Sequence, residues 1–238
     1  MRTFDASALL DAWEHGYGLP PPQRALALLA YGYPHVPRDA LAGLSLGRRD
    51  AWLARLRIVL FGAPLDFVAT CPQCARVVES TLDATPLAHD AAPPEPQAVE
   101  LDGARATLRA VTLADLVDLP RDADAARRML AARCLAHDGG AMPDVERLSD
   151  ASLATIAEAL AVADPGAATE LVLDCPDCGA HWRSGLEIGA FLWREIDAWA
   201  RRTLRDVHAL ARAYAWSERD VLALSPTRRR LYLELCGA

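Results

Sequence analysis

Two short cysteine motifs constrain this chain more than any other feature. CPQC occupies positions 71–74, and the closely similar CPDC occupies positions 175–178. A dithiol redox centre needs a single such motif, whereas a tetrahedral metal ion needs four ligands and therefore two motifs. Thiolates two residues apart can reach one ion from a single tight turn. The repeat therefore favours one metal ion held between two distant turns.

Short β-type segments flank both motifs. LDFVAT precedes the first motif and ARVVES follows it, while TELVLD precedes the second and GAHWRSGLEI follows it. These segments predict a strand, a turn and a second strand at each motif. Gly179 stands directly after the second motif, where such a turn often requires a positive φ. We expect two β-hairpins whose tips face each other across one ion, as in a zinc ribbon.

The predicted metal is one structural Zn²⁺ per chain, because four thiolates close the coordination sphere of zinc and leave no position for catalysis. Closing a loop of about 100 residues rather than about 20 costs only about 1–2 kcal/mol more. A structural zinc site contributes on the order of 10 kcal/mol. The long separation between the motifs is therefore compatible with one site. The predicted ligands are Cys71, Cys74, Cys175 and Cys178.

Other roles for these cysteines remain open at this point. An iron–sulfur cluster can use the same four thiolates, and a CxxC motif can also belong to a dithiol oxidoreductase. In a dithiol oxidoreductase a helix would follow the motif, whereas strands are predicted here. His181 is an alternative ligand, although a place on the strand beside the turn is favoured. Cys134 and Cys236 are expected to be ordinary thiols, in the core and near the surface respectively.

The predicted fold class is α+β and mostly helical, with an insertion between the two halves of the ribbon. A proline-rich stretch at 84–97 marks one boundary. The predicted regions are N-terminal helices (1–62), two halves of a four-cysteine zinc ribbon (63–83 and 168–188), an inserted hairpin-plus-helices block (98–166) and C-terminal helices (189–238).

The inserted block is predicted to begin with a hairpin that turns at Asp102-Gly103. Thr112 is then expected to cap a helix over LADLVDL, with Asp115 completing a capping box. A second helix, DADAARRMLAARCLAH, is expected to end at a break formed by 139–140, and a third helix, DASLATIAEALAVA, is expected to be capped at 149–150.

The C-terminal region is predicted to contain one long helix from about Ala190 to Tyr214. Apolar residues alternate along it at spacings of three and four, which predicts a seam that packs against another helix of this chain or of a neighbour. Self-association through the 190–214 helix is therefore an expectation. Two shorter helices should follow, and the arginines of 228–230 are expected to form a solvated face. The seam residues are Trp193, Ile196, Ala200, Thr203, Val207, Leu210 and Tyr214.

Composition, charge and the absence of catalytic motifs make several classes of function unexpected for this chain. The formal net charge is -7, so neither nucleic acid nor an anionic membrane surface is an expected partner. No signal peptide and no membrane-spanning segment are predicted, which favours cytoplasmic synthesis. No HExxH motif, nucleophile elbow or glycine-rich phosphate loop occurs in the sequence. A non-enzymatic role is therefore predicted.

Over residues 65–238 the order of the parts resembles baseplate proteins of contractile phage tails and related contractile injection systems. A hairpin ends in RATLRAVTLADLVDL, helices follow, and a cysteine turn with a strand comes next. The ending ALARAYAWSERDVLALSPTRRRLYLEL is similar to helical tails of phage-tail proteins. The double cysteine turn is a more complete metal site than is typical of that family.

The resemblance implies a structural or assembly role in the baseplate of a contractile tail-like particle, with other baseplate or tail subunits as partners. The four motif cysteines would hold the metal, and the long helix with the terminal helices would form contact surfaces. Two alternatives stay open. One is a zinc-ribbon protein that binds nucleic acid or a transcription machine, and the other is a CxxC dithiol oxidoreductase.

Overall fold

The structure is a computed structural model that describes residues 5–89, 92–136 and 144–237. Helix, with 3-10 turns included, accounts for 56% of the described residues and strand for 17%, the latter in small hairpins, which confirms the mostly helical α+β prediction. The helices are α1 (Ala6–Gly16), α2 (Pro21–Gly32), α3 (Arg38–Ala42), α4 (Leu46–Phe61), α5 (Ala123–Cys134), α6 (Asp150–Ala163), α7 (Ile188–Tyr214), α8 (Glu218–Leu222) and α9 (Pro226–Leu235). The strands are β1 (Pro64–Thr70), β2 (Val77–Asp83), β3 (Gln97–Leu101), β4 (Ala104–Leu108), β5 (Leu135–Ala136), β6 (Glu170–Asp174) and β7 (His181–Gly185).

The chain divides into two compact units. One unit comprises 35–188 and contains every strand named above, whereas the other comprises 1–34 together with 189–238. The first unit carries both cysteine motifs. The second unit is built from α1, α2, most of α7, α8 and α9.

Both cysteine motifs lie at the tips of antiparallel two-stranded hairpins, as predicted. β1 pairs with β2, and the last pair before the first motif is Thr70 opposite Val77. β6 pairs with β7, and the last pair before the second motif is Asp174 opposite His181. Each hairpin is a separate two-stranded sheet. The strands thus deliver each motif as a turn between paired ends.

The inserted block contains the predicted hairpin. β3 and β4 join through Asp102 and Gly103, whose φ angles of 48° and 83° are those of a tight turn with two left-handed residues. The Asp102 carboxylate accepts hydrogen bonds from the hydroxyl groups of Ser149 and Ser152, at 2.7 and 2.9 Å. Ser149 is also the N-cap of α6. The hairpin turn is therefore tied to the start of that helix.

The prediction of a helix after Thr112 is wrong, since the structure has only a short 3-10 turn at Ala114–Leu116. The backbone N–H of Thr112 does donate to the Asp115 carboxylate at 2.8 Å, which is one half of a capping box. However, the Arg133 guanidinium donates to the backbone carbonyl oxygens of Asp115 and Val117 at 2.6 and 2.7 Å. These carbonyls are thereby satisfied by a side chain from α5 instead of by further helical turns.

The second predicted helix is shorter than expected. α5 ends at Cys134, and Leu135–Ala136 form β5, which pairs with β4. A three-stranded sheet results, and α6 covers part of it through a shared apolar core. The predicted break at 139–140 lies outside the described residues. The buried residues of this core are Leu101, Ala106, Leu108, Ala131, Cys134, Leu135, Leu148, Leu153 and Ile156.

The seam of α7 is buried within the chain. Six of its seven predicted residues are at most 9% exposed, and Tyr214 is partly exposed. The Trp193 ring lies so close to Gly16 of α1 that a Cβ atom there would approach it to 2.6 Å. Val207 and Leu210 pack with Val221 of α8. The seam therefore packs inside the chain, which is one of the two kinds of packing that its spacing predicted.

The terminal helices begin as predicted, but one of the three arginines expected to be solvated is buried. Ser217 forms a capping box at the start of α8, and Ser225 caps α9. Arg228 and Arg230 are exposed, whereas Arg229 is buried at 8% exposure. The prediction of a solvated face at 228–230 is thus wrong for its central member, because Arg229 lies on the inner side of α9.

In the described ranges, no helix has the length and apolar character needed to cross a membrane.

Candidate metal centre

The first cysteine turn is closed by backbone hydrogen bonds. The Cys71 N–H donates to the Arg76 carbonyl oxygen at 2.8 Å, and the Ala75 N–H donates to the Cys71 carbonyl oxygen at 3.0 Å. Ala75 has a φ of 59°, in the left-handed region. The turn therefore folds back tightly enough for both of its cysteines to point towards one place.

The second cysteine turn repeats this pattern of hydrogen bonds. The Cys175 N–H donates to the Ala180 carbonyl oxygen at 2.9 Å, and the Gly179 N–H donates to the Cys175 carbonyl oxygen at 3.0 Å. Gly179 has a φ of 70°, as its position after the motif predicted. Because glycine has no Cβ atom, this conformation carries no steric cost.

The two turns bring four sulfur atoms together. Sγ of Cys71 lies 3.7 Å from Sγ of Cys178, and Sγ of Cys74 lies 3.6 Å from Sγ of Cys175. All four sulfur atoms lie within 4.8 Å of one another. These distances far exceed a disulfide bond of about 2.05 Å, and all four cysteines are free.

The spacing of the sulfur atoms suits a single tetrahedral ion. A metal–sulfur bond of about 2.3 Å gives a tetrahedron whose sulfur–sulfur edges are about 3.8 Å. The Cys71–Cys178 and Cys74–Cys175 sulfur distances, at 3.7 and 3.6 Å, match that edge. A multi-iron cluster places its thiolates on different iron atoms and needs a wider set. The four cysteines could therefore hold one metal ion.

Each turn contributes one buried and one exposed cysteine. Cys71 and Cys175 are 1% and 3% exposed, whereas Cys74 and Cys178 are exposed. The Cys71–Cys178 and Cys74–Cys175 contacts each join the buried cysteine of one turn to the exposed cysteine of the other. The arrangement has the approximate twofold symmetry expected when two equivalent turns share one ion.

The four sulfur atoms influence one another's ionisation. The backbone N–H of Cys74 donates to the Cys71 sulfur and is the largest reason that the pKa of Cys71 falls to about 7. The backbone N–H of Arg76 lowers the pKa of Cys74, but Cys178, burial and the remaining two sulfurs together raise it to about 12. One sulfur is thus readily ionised while its neighbour keeps its proton. A bound cation would displace that proton.

His181 lies outside the four-sulfur set. Its Nδ1 atom contacts the Asp174 carboxylate across the β6–β7 pair, and both side chains are more than two-thirds exposed. The favoured prediction, a strand residue beside the turn, agrees with this position.

An exposed ion pair joins the two turns directly, because the Arg76 guanidinium lies 3.4 Å from the Asp177 carboxylate. This pair was not predicted from the sequence.

The remaining cysteines are ordinary thiols, as expected. Cys134 is fully buried in the core of the inserted block, and burial raises its pKa to about 11. Cys236 is partly exposed, and its thiol donates to the Leu233 carbonyl oxygen at 3.3 Å. Neither belongs to the four-sulfur set.

Comparison of this chain with known proteins finds no match. No family model, no curated protein and no solved structure matches this chain. Function must therefore be inferred from the four sulfur atoms and from the turns that position them.

The left-handed conformation of Ala75 was not predicted from the sequence. Its position in the repeated motif is equivalent to that of Gly179, and this equivalence was the signal that could have revealed it.

Proposed function

We propose that the four cysteines bind one structural Zn²⁺ and that the protein is a non-enzymatic subunit or assembly factor of the baseplate of a contractile tail-like particle. The observation that supports the zinc proposal is the close approach of four sulfur atoms from two distant turns, all within 4.8 Å of one another. Zinc is the ion that four-cysteine sites of this kind most commonly hold in proteins. One ion per chain fills the site.

A structural role for the ion follows from how little else stabilises the hairpins. Each is an isolated two-stranded sheet, and such hairpins are at best marginally stable in water. Val68, Val77 and Val172 on their strands are 65%, 56% and 72% exposed. Binding of structural zinc contributes about 10–16 kcal/mol in zinc-finger peptides. An ion between the tips would therefore fix two elements that packing alone leaves weak.

The same exposed valines support a role in contacts with other subunits. Exposed apolar side chains on the hairpin strands offer surface that a neighbouring subunit would bury. The baseplate assignment itself rests on the resemblance in the order of parts: hairpin, helical block, cysteine turn and long helix. In this proposal the chain is made in the cytoplasm and joins neighbouring baseplate subunits through its hairpins and terminal helices. Contacts through α7 would use faces other than its buried seam.

The non-enzymatic part of the proposal rests on the donor set. Four thiolates complete a tetrahedral zinc site, so neither substrate nor water has a coordination position on the ion. The ion would then act by holding the two hairpin tips together, and the surfaces around it would carry the contacts.

Deletion of the gene in a host that produces contractile particles tests the baseplate proposal. We expect sheath and tube components to remain unassembled, and complementation with the wild-type chain to restore contractile particles visible by electron microscopy. A Cys236→Ser chain, which keeps all four ligands, should complement equally well, whereas Cys175→Ser should not. Normal particles in the deletion strain would contradict the proposal. Salt-dependent binding of the purified chain to random DNA would favour the nucleic-acid alternative instead.

A further inference from the structure

A groove between α7 and α9 carries a charge opposite to that of the whole chain. Its volume is about 450 Å³, which falls within the range of pockets that bind small ligands. Four arginines and a single aspartate line it, together with an apolar wall that includes Trp199. The chain as a whole has a formal net charge of -7. The arginines are Arg202, Arg205, Arg229 and Arg230.

Arg229 is the most informative residue of the groove. This side chain is only 8% exposed, and its Nε atom has no hydrogen-bond partner in the part of the chain that the structure describes. A buried donor without a partner is costly, especially on a charged group. The guanidinium group is shaped to bind carboxylate or phosphate through two parallel hydrogen bonds. An anion in the groove would supply the acceptor that Nε lacks.

The single carboxylate in the groove is that of Asp206. Burial raises its pKa, while the charges of Arg229, Arg205 and Arg202 act in the opposite direction. Asp206 therefore offsets only part of the positive charge. An incoming anion would be repelled by Asp206 and attracted by the arginines, of which Arg230 also lies 3.9 Å from the Glu234 carboxylate.

We propose that this groove binds an oxyanion, a carboxylate or phosphate group, through Arg229, with Arg202, Arg205 and Arg230 adding positive charge at its rim. The apolar wall beside them suits a ligand that carries the anion on a short carbon body. A free phosphorylated or carboxylated metabolite and an acidic side chain share this chemistry. The site is separate from the cysteine turns and does not depend on the proposed function.

Binding is tested on the full chain as purified by calorimetry with two probes, inorganic phosphate and a capped glutamate, at constant ionic strength. We expect a Kd below about 1 mM for at least one probe. Nitrogen-15 spectra of the wild-type chain should show the Arg229 Nε–H signal shifting as the same probe is added. Phosphate binding alone would identify a phosphorylated ligand, and capped glutamate alone would identify a carboxylate.

Matched variants assign the effect to the groove. Arg229→Gln should weaken binding about tenfold or more, because it removes the charged donor, and Asp206→Asn should strengthen it by removing the repulsion. Arg228→Gln removes the same charge from the neighbouring exposed position of α9 and should leave binding unchanged. If Arg229→Gln does not fold, the exposed Arg202→Gln should still weaken binding about threefold. The proposal is overturned if neither probe binds, or if Arg228→Gln weakens binding as much as the groove variants do.

Discussion

In the first cysteine turn Ala75 occupies the left-handed position that Gly179 occupies in the second, with φ angles of 59° and 70°. The backbone hydrogen bonds of the two turns are otherwise equivalent and differ by at most 0.1 Å in length. An alanine in this conformation costs roughly 1–2 kcal/mol. The first turn therefore adopts the geometry of the second despite a residue that disfavours it. In the proposed zinc site, the shared ion would impose this common geometry on both turns.

The strand ends beside the turns also differ. Thr70 faces Val77 next to the first turn, whereas Asp174 faces His181 next to the second, where the two side chains make a polar contact. The sulfur atoms nevertheless meet in equivalent pairs across the site. The chemistry of the strand ends therefore does not determine the arrangement of the ligands.

The largest expected effect comes from removing a ligand from either turn. Cys71→Ser and Cys175→Ser should each abolish stoichiometric zinc binding and lower the thermal midpoint of unfolding by more than about 10 °C, because binding of structural zinc is coupled to folding. Metal content and calorimetric unfolding measure both effects. Cys236→Ser is the control and should change neither. Full zinc content in one of the two ligand variants would show that the turns are not halves of one site.

Zinc affinity should decrease as the pH falls. The pKa of Cys71 is lowered to about 7 and that of Cys74 is raised to about 12, so protons compete with zinc for Cys74 across the neutral range and also for Cys71 below pH 7. Affinity should fall at least about tenfold per pH unit, since each displaced proton contributes one factor of ten. Competition with a chromophoric chelator between pH 6 and pH 8 measures the slope. A pH-independent affinity, after correction for the chelator, would argue against thiolate ligands.

Exchanging the left-handed residues should have opposite effects in the two turns. Gly179→Ala should destabilise the zinc-loaded protein by about 1 kcal/mol, whereas Ala75→Gly should leave stability unchanged or raise it by up to about 1 kcal/mol. Chemical denaturation in the presence of zinc measures both variants. If Ala75→Gly is as destabilising as Gly179→Ala, the first turn does not carry the inferred strain.

The smallest effect is expected from the ion pair that joins the turns. Arg76 and Asp177 are 58% and 49% exposed, and exposed pairs of this kind contribute less than about 1 kcal/mol. Asp177→Asn should therefore retain full zinc content and nearly wild-type stability. Loss of zinc in this variant would mean that the ion pair, rather than the metal, aligns the two turns.

Local sequence rules account for the features of the fold that were predicted correctly. The Asp102-Gly103 turn, the capping box at Ser217 and the two hairpins each depend on residues close together in the chain. The repeated motif was enough to predict the four cysteines as candidate ligands of one ion, and their sulfur atoms lie within 4.8 Å of one another.

Long-range contacts account for the features that were missed. The helix expected after Thr112 is replaced by a short turn because Arg133, far along the chain, binds its carbonyl oxygens. β5 exists because β4 offers an edge to 135–136. The burial of Arg229 follows from the packing of α9, although its spacing with Tyr232, Leu233 and Cys236 on one helical face was a usable signal.

X-ray absorption spectroscopy at the zinc edge of the purified full chain tests the central claim most directly. We expect one zinc per chain with four sulfur scatterers at about 2.3 Å and no nitrogen or oxygen ligand. Three sulfur atoms with one nitrogen would place His181 in the coordination sphere and contradict the four-cysteine site. A chain that binds no zinc, or that holds iron in its place, would contradict the assignment of the two turns as halves of one zinc site.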